Sequence, residues 1–156
     1  MLAAKYPIPE TMIAKFGGPA WAESCLTVWA GTTPEGNRNF LGPTGVDVFT
    51  AHFAKPSVIA ASCADYRAAA LIDAPLEAAD HAAGKRIGVP TLVLYSTGYL
   101  GSRYDVPGVW REWVDRGTSL TLRGFDGVGH FMLEENPAAS YGAINGWISD
   151  VLKVGL

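Results

Sequence analysis

Val89-Pro90-Thr91-Leu92-Val93-Leu94-Tyr95 and, further along, Ser119-Leu120-Thr121-Leu122 are the stretches on which the fold reading turns. The first is a short continuous apolar run bounded by proline, the pattern of a strand covered on both faces. The second is another strand candidate. Between them Pro107 to Arg116 reads as a helix carrying Val109, Trp110, Trp113 and Val114 on one side. After them comes a glycine-rich turn, Gly124-Phe125-Asp126-Gly127-Val128-Gly129-His130. Asn136-Pro137 then caps a last helix with Tyr141, Ile144, Ile148 and Val151 spaced three, four and three apart. Strand, helix, strand, loop, helix is the signature of parallel strands joined by a crossover helix, which places the chain in the α/β class. A two-strand sheet is marginal alone. Either its other strands hide in the loop-rich first part, where no good candidates stand, or, the reading favoured, the sheet is incomplete and another chain or a preceding region supplies them.

Upstream, residues 1–54 mix short apolar clusters with turn residues. Gly17-Gly18-Pro19, Gly31 to Asn39 and Gly42-Pro43 read as loops, and Ala20 to Trp29 as a helix between them. Asp47 stands before Val48-Phe49-Thr50-Ala51-His52-Phe53 like an N-cap, and Lys55-Pro56 marks the next break, with Pro56 suited to the first turn of another helix. That helix carries Ile59, Cys63, Tyr66 and Ala70 four, three and four residues apart, which predicts one apolar face that includes a tyrosine.

Composition narrows the function classes. The chain has 156 residues, enough for one domain or a piece of a larger one, and at 49% hydrophobic and 17% charged it is core-forming rather than disordered. Its net charge of −3 and the lack of any basic run argue against nucleic-acid binding, which needs phosphate neutralisation. Cys25 and Cys63 lack metal or redox spacing and are expected as reduced, buried thiols. No basic start with an apolar stretch marks a signal peptide, and the longest uncharged run, Ile87 to Ser102, is broken by Pro90, Gly98 and Gly101. A soluble, cytoplasmic protein without membrane association is expected.

His130 is the most informative residue. Following a strand near the C-terminus, it can project over the carboxyl edge of the sheet, where active sites of open α/β sheets lie, or be a turn histidine satisfied by its neighbours. His52 and His81 have no acid or thiol at metal-ligand spacing, so no metal is expected, and surface or packing roles fit them. The glycines of 124–129 run G-x-x-G-x-G and not G-x-G-x-x-G, so they read as turn formers and no cofactor is expected. No G-x-S-x-G or G-x-D-x-G elbow occurs, and a general base without a nucleophile cannot run covalent hydrolysis.

The combination of Ser62-Cys63-Ala64-Asp65-Tyr66-Arg67-Ala68-Ala69-Ala70, Val89 to Leu94, Trp110-Arg111 and Gly129-His130-Phe131-Met132-Leu133-Glu134-Glu135-Asn136-Pro137 resembles the C-terminal half of fluoroacetate dehalogenases, in the α/β-hydrolase superfamily. Tyr6-Pro7-Ile8-Pro9-Glu10 is similar to a stretch inside that family's helical cap. The resemblance implies a helical cap segment over residues 1–83, followed at 84–156 by the last parallel strands and helices of an α/β-hydrolase core. It implies hydrolytic C–halogen cleavage through an aspartyl ester, with His130 as the base that activates water. Tyr66 matches a cap tyrosine that donates to the departing halide, and Trp29 resembles a tryptophan near the cap pocket. The nucleophile, the aspartate that orients the histidine and the halide-binding His-Trp pair would all precede Met1. Expected partners are a small haloacetate-like substrate and an N-terminal half or a second copy. A non-catalytic binding module and an epoxide or ester hydrolase of the same fold stand as alternatives.

Overall fold

The computed structural model describes residues 1–41 and 45–154, so the loop expected at Gly42-Pro43 lies outside the described residues. The elements in order are α1 (Ile8–Phe16), α2 (Gly18–Trp29), α3 (Pro34–Leu41), α4 (Gly45–Phe53), α5 (Pro56–Ala68), α6 (Ala74–Ala82), β1 (Thr91–Ser96), α7 (Val106–Trp113), β2 (Leu120–Phe125), α8 (Met132–Glu135) and α9 (Pro137–Val154). They form two compact units. One comprises Met1–Val28 with Leu41–Gly84, the other Trp29–Phe40 with Lys85–Leu156.

The first unit is helical. Its core is Ile13 from α1 with Ile59 and Cys63 from α5, against which Leu2, Trp21 and Phe53 pack. Burial of an isoleucine side chain contributes about 1.5–3 kcal/mol, so this small cluster is the main hold between α1 and α5. Arg67 adds a polar tie: its Nη2 lies 2.5 Å from Glu10 Oε1 and its Nη1 donates to Ala4 O at 3.3 Å. Burial opposes ionisation of Glu10, but the hydrogen bonds and charge of Arg67 outweigh it and hold the carboxyl below its ordinary value. Both cysteines are free thiols, and burial pushes both up.

The expected loop Gly17-Gly18-Pro19 is a single residue. Gly17 turns the chain at φ 99°, while Gly18 and Pro19 already belong to the first turn of α2, where proline's missing N–H goes unused. A Cβ on Gly18 would fall 1.9 Å from Phe53 O, so only glycine lets α2 approach the end of α4 this closely. Asp47 is not the N-cap of α4; the helix starts at Gly45 and Asp47 sits in its first turn, where a negative charge suits the helix dipole. Lys55 and Pro56 open α5 as expected. Its predicted apolar face holds at Ile59 and Cys63 but fails at Tyr66 and Ala70, which are exposed. Ala70 already lies in a π-turn, Ala69–Asp73, that changes the helical period ahead of Pro75. Proline lacks the N–H that an α-turn would bond there, and the turn widens by one residue.

In the second unit β1 and β2 pair in parallel, in register from Thr91 opposite Leu120 to Ser96 opposite Phe125. Gly124 and Phe125 therefore end the strand instead of starting the turn. Asp105 caps α7, its Oδ1 accepting from Gly108 N at 3.0 Å, and Val114, expected on that helix, leaves it to bridge Ile87 in parallel fashion. The expected loop from Gly31 to Asn39 is in part α3. Thr33 Oγ1 accepts from Gly36 N at 3.1 Å as its cap, and Phe40 anchors it by stacking on Phe131 at 4.3 Å. Gly36 and Asn37 are poor helix formers, so this helix depends on its cap and its tertiary anchor rather than on propensity. Along α9, Tyr141 and Ile148 are exposed while Ile144 and Val151 are half-buried, so the face expected to pack does so only in part. Among the described residues no helix is long and apolar enough to cross a membrane.

Candidate functional site

The second unit places His130 immediately beyond the carboxyl end of β2, on the turn formed by residues 126–130. Gly127 adopts φ 72° within that turn, and its carbonyl accepts from the backbone N–H groups of Thr32 and Thr33 at 3.1 and 3.3 Å. The end of β1 grips the same turn. Ser96, fully buried, donates its hydroxyl to Val128 O at 2.5 Å and accepts from Tyr99 N at 3.0 Å. Thr97 N donates to Phe125 O at 3.0 Å, and its hydroxyl bonds the Asp126 carboxylate. At this edge the chain places two hydroxyls that fasten backbone, Ser96 to Val128 O and Thr97 to Phe125 O.

The His130 side chain is exposed and held edge-on among three rings: Trp29 at 5.9 Å between centroids, Tyr99 at 5.4 Å and Phe131 at 4.9 Å. Its backbone N–H donates to Trp29 O at 2.8 Å. Arg103 lies over the Tyr99 ring at 4.5 Å, a cation–π contact that fixes that ring. No ion pair to His130 is present among the described residues. An accessible imidazole walled by aromatic edges can hydrogen-bond to water or to a ligand. Beside it opens a groove of ≈ 570 Å³ lined by Leu92 and Leu94 of β1, Ile144 and Trp147 of α9, and His130 with its following residues.

Beneath the turn lies Glu135, only 2% exposed. Its Oε2 accepts from Gly31 N at 2.7 Å and Gly129 N at 2.8 Å, and its Oε1 from Phe131 N at 3.2 Å. The glycines are required. A Cβ on Gly129 would lie 2.2 Å from Trp29 O, and one on Gly31 would lie 2.4 Å from Glu135 Oε2.

Of the residues expected at a site, His130 and Trp29 meet in this unit, through both their rings and their backbones. Tyr66 belongs to the first unit, where it stands 47% exposed on α5, next to the anchored Arg67. Three contributors escaped sequence reading. Ser96 ends β1 and Tyr99 follows it in the loop, and neither stands in a motif that marks chemistry. Glu135 sat within the His130 motif, and its spacing of five from the histidine was its one local signal; nothing in sequence links Gly31 to either. Among the described residues no group of three or more His, Cys, Asp or Glu side chains could hold a metal.

No protein-family model matches the chain. It is 28% identical, over 145 residues, to a fluoroacetate dehalogenase of Burkholderia sp., covering 92% of this chain and 44% of the dehalogenase. The structure superposes on that of a candidate acyltransferase from Salmonella enterica with a TM-score of 0.78 and 27% identity, covering 96% of this chain and 46% of that one. It also superposes on the epoxide hydrolase CorEH with a TM-score of 0.73 and 16% identity, over 96% of this chain and 49% of that one. The fold is that of the C-terminal part of an α/β-hydrolase. The chain resembles haloacetate dehalogenases in that part and spans about half the length of the proteins it matches. β1 and β2 are the parallel pair of that part, and His130 follows β2.

Proposed function

We propose that this chain supplies the histidine side of an α/β-hydrolase of the haloacetate dehalogenase type. The observation that carries the reading is the placement of His130: exposed, edge-on between Trp29 and Tyr99, at the carboxyl end of a parallel strand. The likeness to a fluoroacetate dehalogenase across 92% of the chain supports the reaction class.

In the proposed reaction an aspartate oxygen, from polypeptide outside these 156 residues, attacks the α-carbon of a haloacetate. A C–O bond forms, the C–halogen bond breaks and halide departs with the bonding pair. His130 then takes a proton from water as its oxygen attacks the ester carbonyl; on collapse the carbonyl carbon's bond to the alkoxy oxygen breaks, that oxygen takes the proton back from His130, and the 2-hydroxy acid leaves with the aspartate and the histidine restored. Tyr66 donates its phenol to the halide as charge builds on it, an interaction strongest in the transition state. Trp29 lines the substrate pocket, residues 1–83 form the helical cap and 84–156 the C-terminal part of the core.

The test is halide release from fluoroacetate or chloroacetate by this chain co-expressed with a segment bearing an aspartate elbow. The His130→Ala variant is expected to accumulate the covalent ester, seen as added mass on the aspartate-bearing segment, with turnover lost. Full turnover without His130 would refute the assignment. Stoichiometric haloacetate binding with no turnover in any pairing would favour a non-catalytic binding module.

A further inference from the structure

We infer that Glu135 is the positioning residue of His130, an inference that rests on reading His130 as the general base. Three consecutive backbone N–H groups, those of Gly129, His130 and Phe131, are all taken up. Glu135 holds the outer two and Trp29 O the middle one. Fixing the peptide planes on both sides of a residue fixes the direction of its Cα–Cβ bond, and with it where the imidazole leaves the backbone. The same carboxylate also accepts from Gly31 N, two residues beyond Trp29. One buried side chain thus locks the histidine's backbone to the segment that carries the neighbouring indole. Water cannot take over the task, because Glu135 is 2% exposed and Gly129 and Gly31 leave no room for so much as a methyl group. The geometry is that of a part that acts through the backbone of the base.

The chemistry of the donor set makes the role specific to a carboxylate. Three N–H groups converge on two oxygens, and a carboxylate presents acceptors only. Glutamine, equal in shape, would turn an NH₂ toward either the Phe131 N–H or the Gly31–Gly129 pair. Aspartate, shorter by one methylene, would fall short of at least one partner.

The experiment uses the ¹⁵N-labelled chain itself and needs no turnover. In Glu135→Gln the amides of Gly31, Gly129 and Phe131 are expected to exchange faster by about tenfold. The nuclear Overhauser contacts of the His130 ring to Trp29 and Tyr99 should be lost, while the amides of Val93 and Arg123, which face the partner strand in the parallel ladder, keep their protection. Gly31→Ala pushes the carboxylate from the opposite side and should give the same His130 signature with Glu135 still present. Retained His130 ring contacts in both variants, or a uniform loss of protection that reaches the strands in both, would overturn the inference. The two readings fail separately: full turnover by His130→Ala removes the base assignment, whereas displacement of the His130 ring in Glu135→Gln is read with no reaction running.

Discussion

Replacing Ser96 by alanine removes one oxygen atom and nothing else, which makes it a clean probe of how the histidine turn is attached to the sheet. Ser96 is 1% exposed; its hydroxyl donates to Val128 O at 2.5 Å and accepts from Tyr99 N at 3.0 Å, and Val128 is itself buried. In Ser96→Ala both partners lose their bond, the Val128 carbonyl in a buried place and the Tyr99 N–H in a half-buried one. A buried neutral hydrogen bond contributes about 1 kcal/mol net, and leaving a buried partner unsatisfied raises the loss to roughly 1–3 kcal/mol per group. Summed over a carbonyl and an N–H, with part of the second relieved by local relaxation, the expected loss is about 2–4 kcal/mol. For a unit of this size each kcal/mol lowers the midpoint by about 4–8 °C, so a fall of at least roughly 8 °C should appear in near-ultraviolet circular dichroism, where the tryptophans report tertiary packing. Exchange of the Tyr99 amide should accelerate ahead of the strand amides. A midpoint unchanged within about 2 °C, with Tyr99 still protected, would show that the hydroxyl does not carry the attachment.

Gly18→Ala forces a methyl group against the Phe53 carbonyl and should lower the urea midpoint by the equivalent of about 1–3 kcal/mol; Gly142→Ala, in open space on α9, should raise it by up to about 1 kcal/mol, and equal effects would refute the packing argument. Because the Glu10 carboxyl is held below its ordinary value of 4.5 in the folded chain, it binds fewer protons folded than unfolded. The stability it contributes is complete above that value and is lost as pH falls through the lowered one, so melting should decline on acidification below about pH 5, and less so in Glu10→Gln. Burial pushes the Cys63 thiol up, the nearby Glu10 charge adds to this, and the residue is fully buried, so at neutral pH it should react with a thiol reagent only on unfolding, with half-buried Cys25 labelled first. Rapid labelling of Cys63 in the folded chain would contradict its place in the core.

The parallel pair, the crossover helix and the position of His130 were legible because each is written locally: an apolar run after Pro90, a helix signature between two strands, a glycine-rich turn. Elements that depend on distant partners were hidden. Nothing near Gly31 to Asn39 announces a helix, since α3 is held by the Thr33 cap and by Phe40 stacking on Phe131, far along the chain. The apolar spacing of Ile59, Cys63, Tyr66 and Ala70 is regular, yet the π-turn before Pro75 ends the regularity that the spacing assumes. Around His130 the sequence offered the histidine and, by resemblance, Trp29. It did not offer Glu135 or Ser96, because a buried acceptor for backbone N–H groups looks like any other polar residue until the chain is folded around it.

The bond from Gly31 N to Glu135 Oε2 joins residues 104 positions apart, whereas that from Ser96 to Val128 spans 32. Closing a flexible loop of that longer length costs on the order of 4 kcal/mol in chain entropy before any contact repays it. The two-strand pair and its turn can therefore assemble first, and the segment 29–40 joins afterwards, completing the surroundings of His130 as a late event in folding. Pulsed exchange during refolding should show the amides of β1 protected before that of Gly31. The histidine's setting is in this sense a kinetic latecomer, formed when the two ends of the second unit finally find each other.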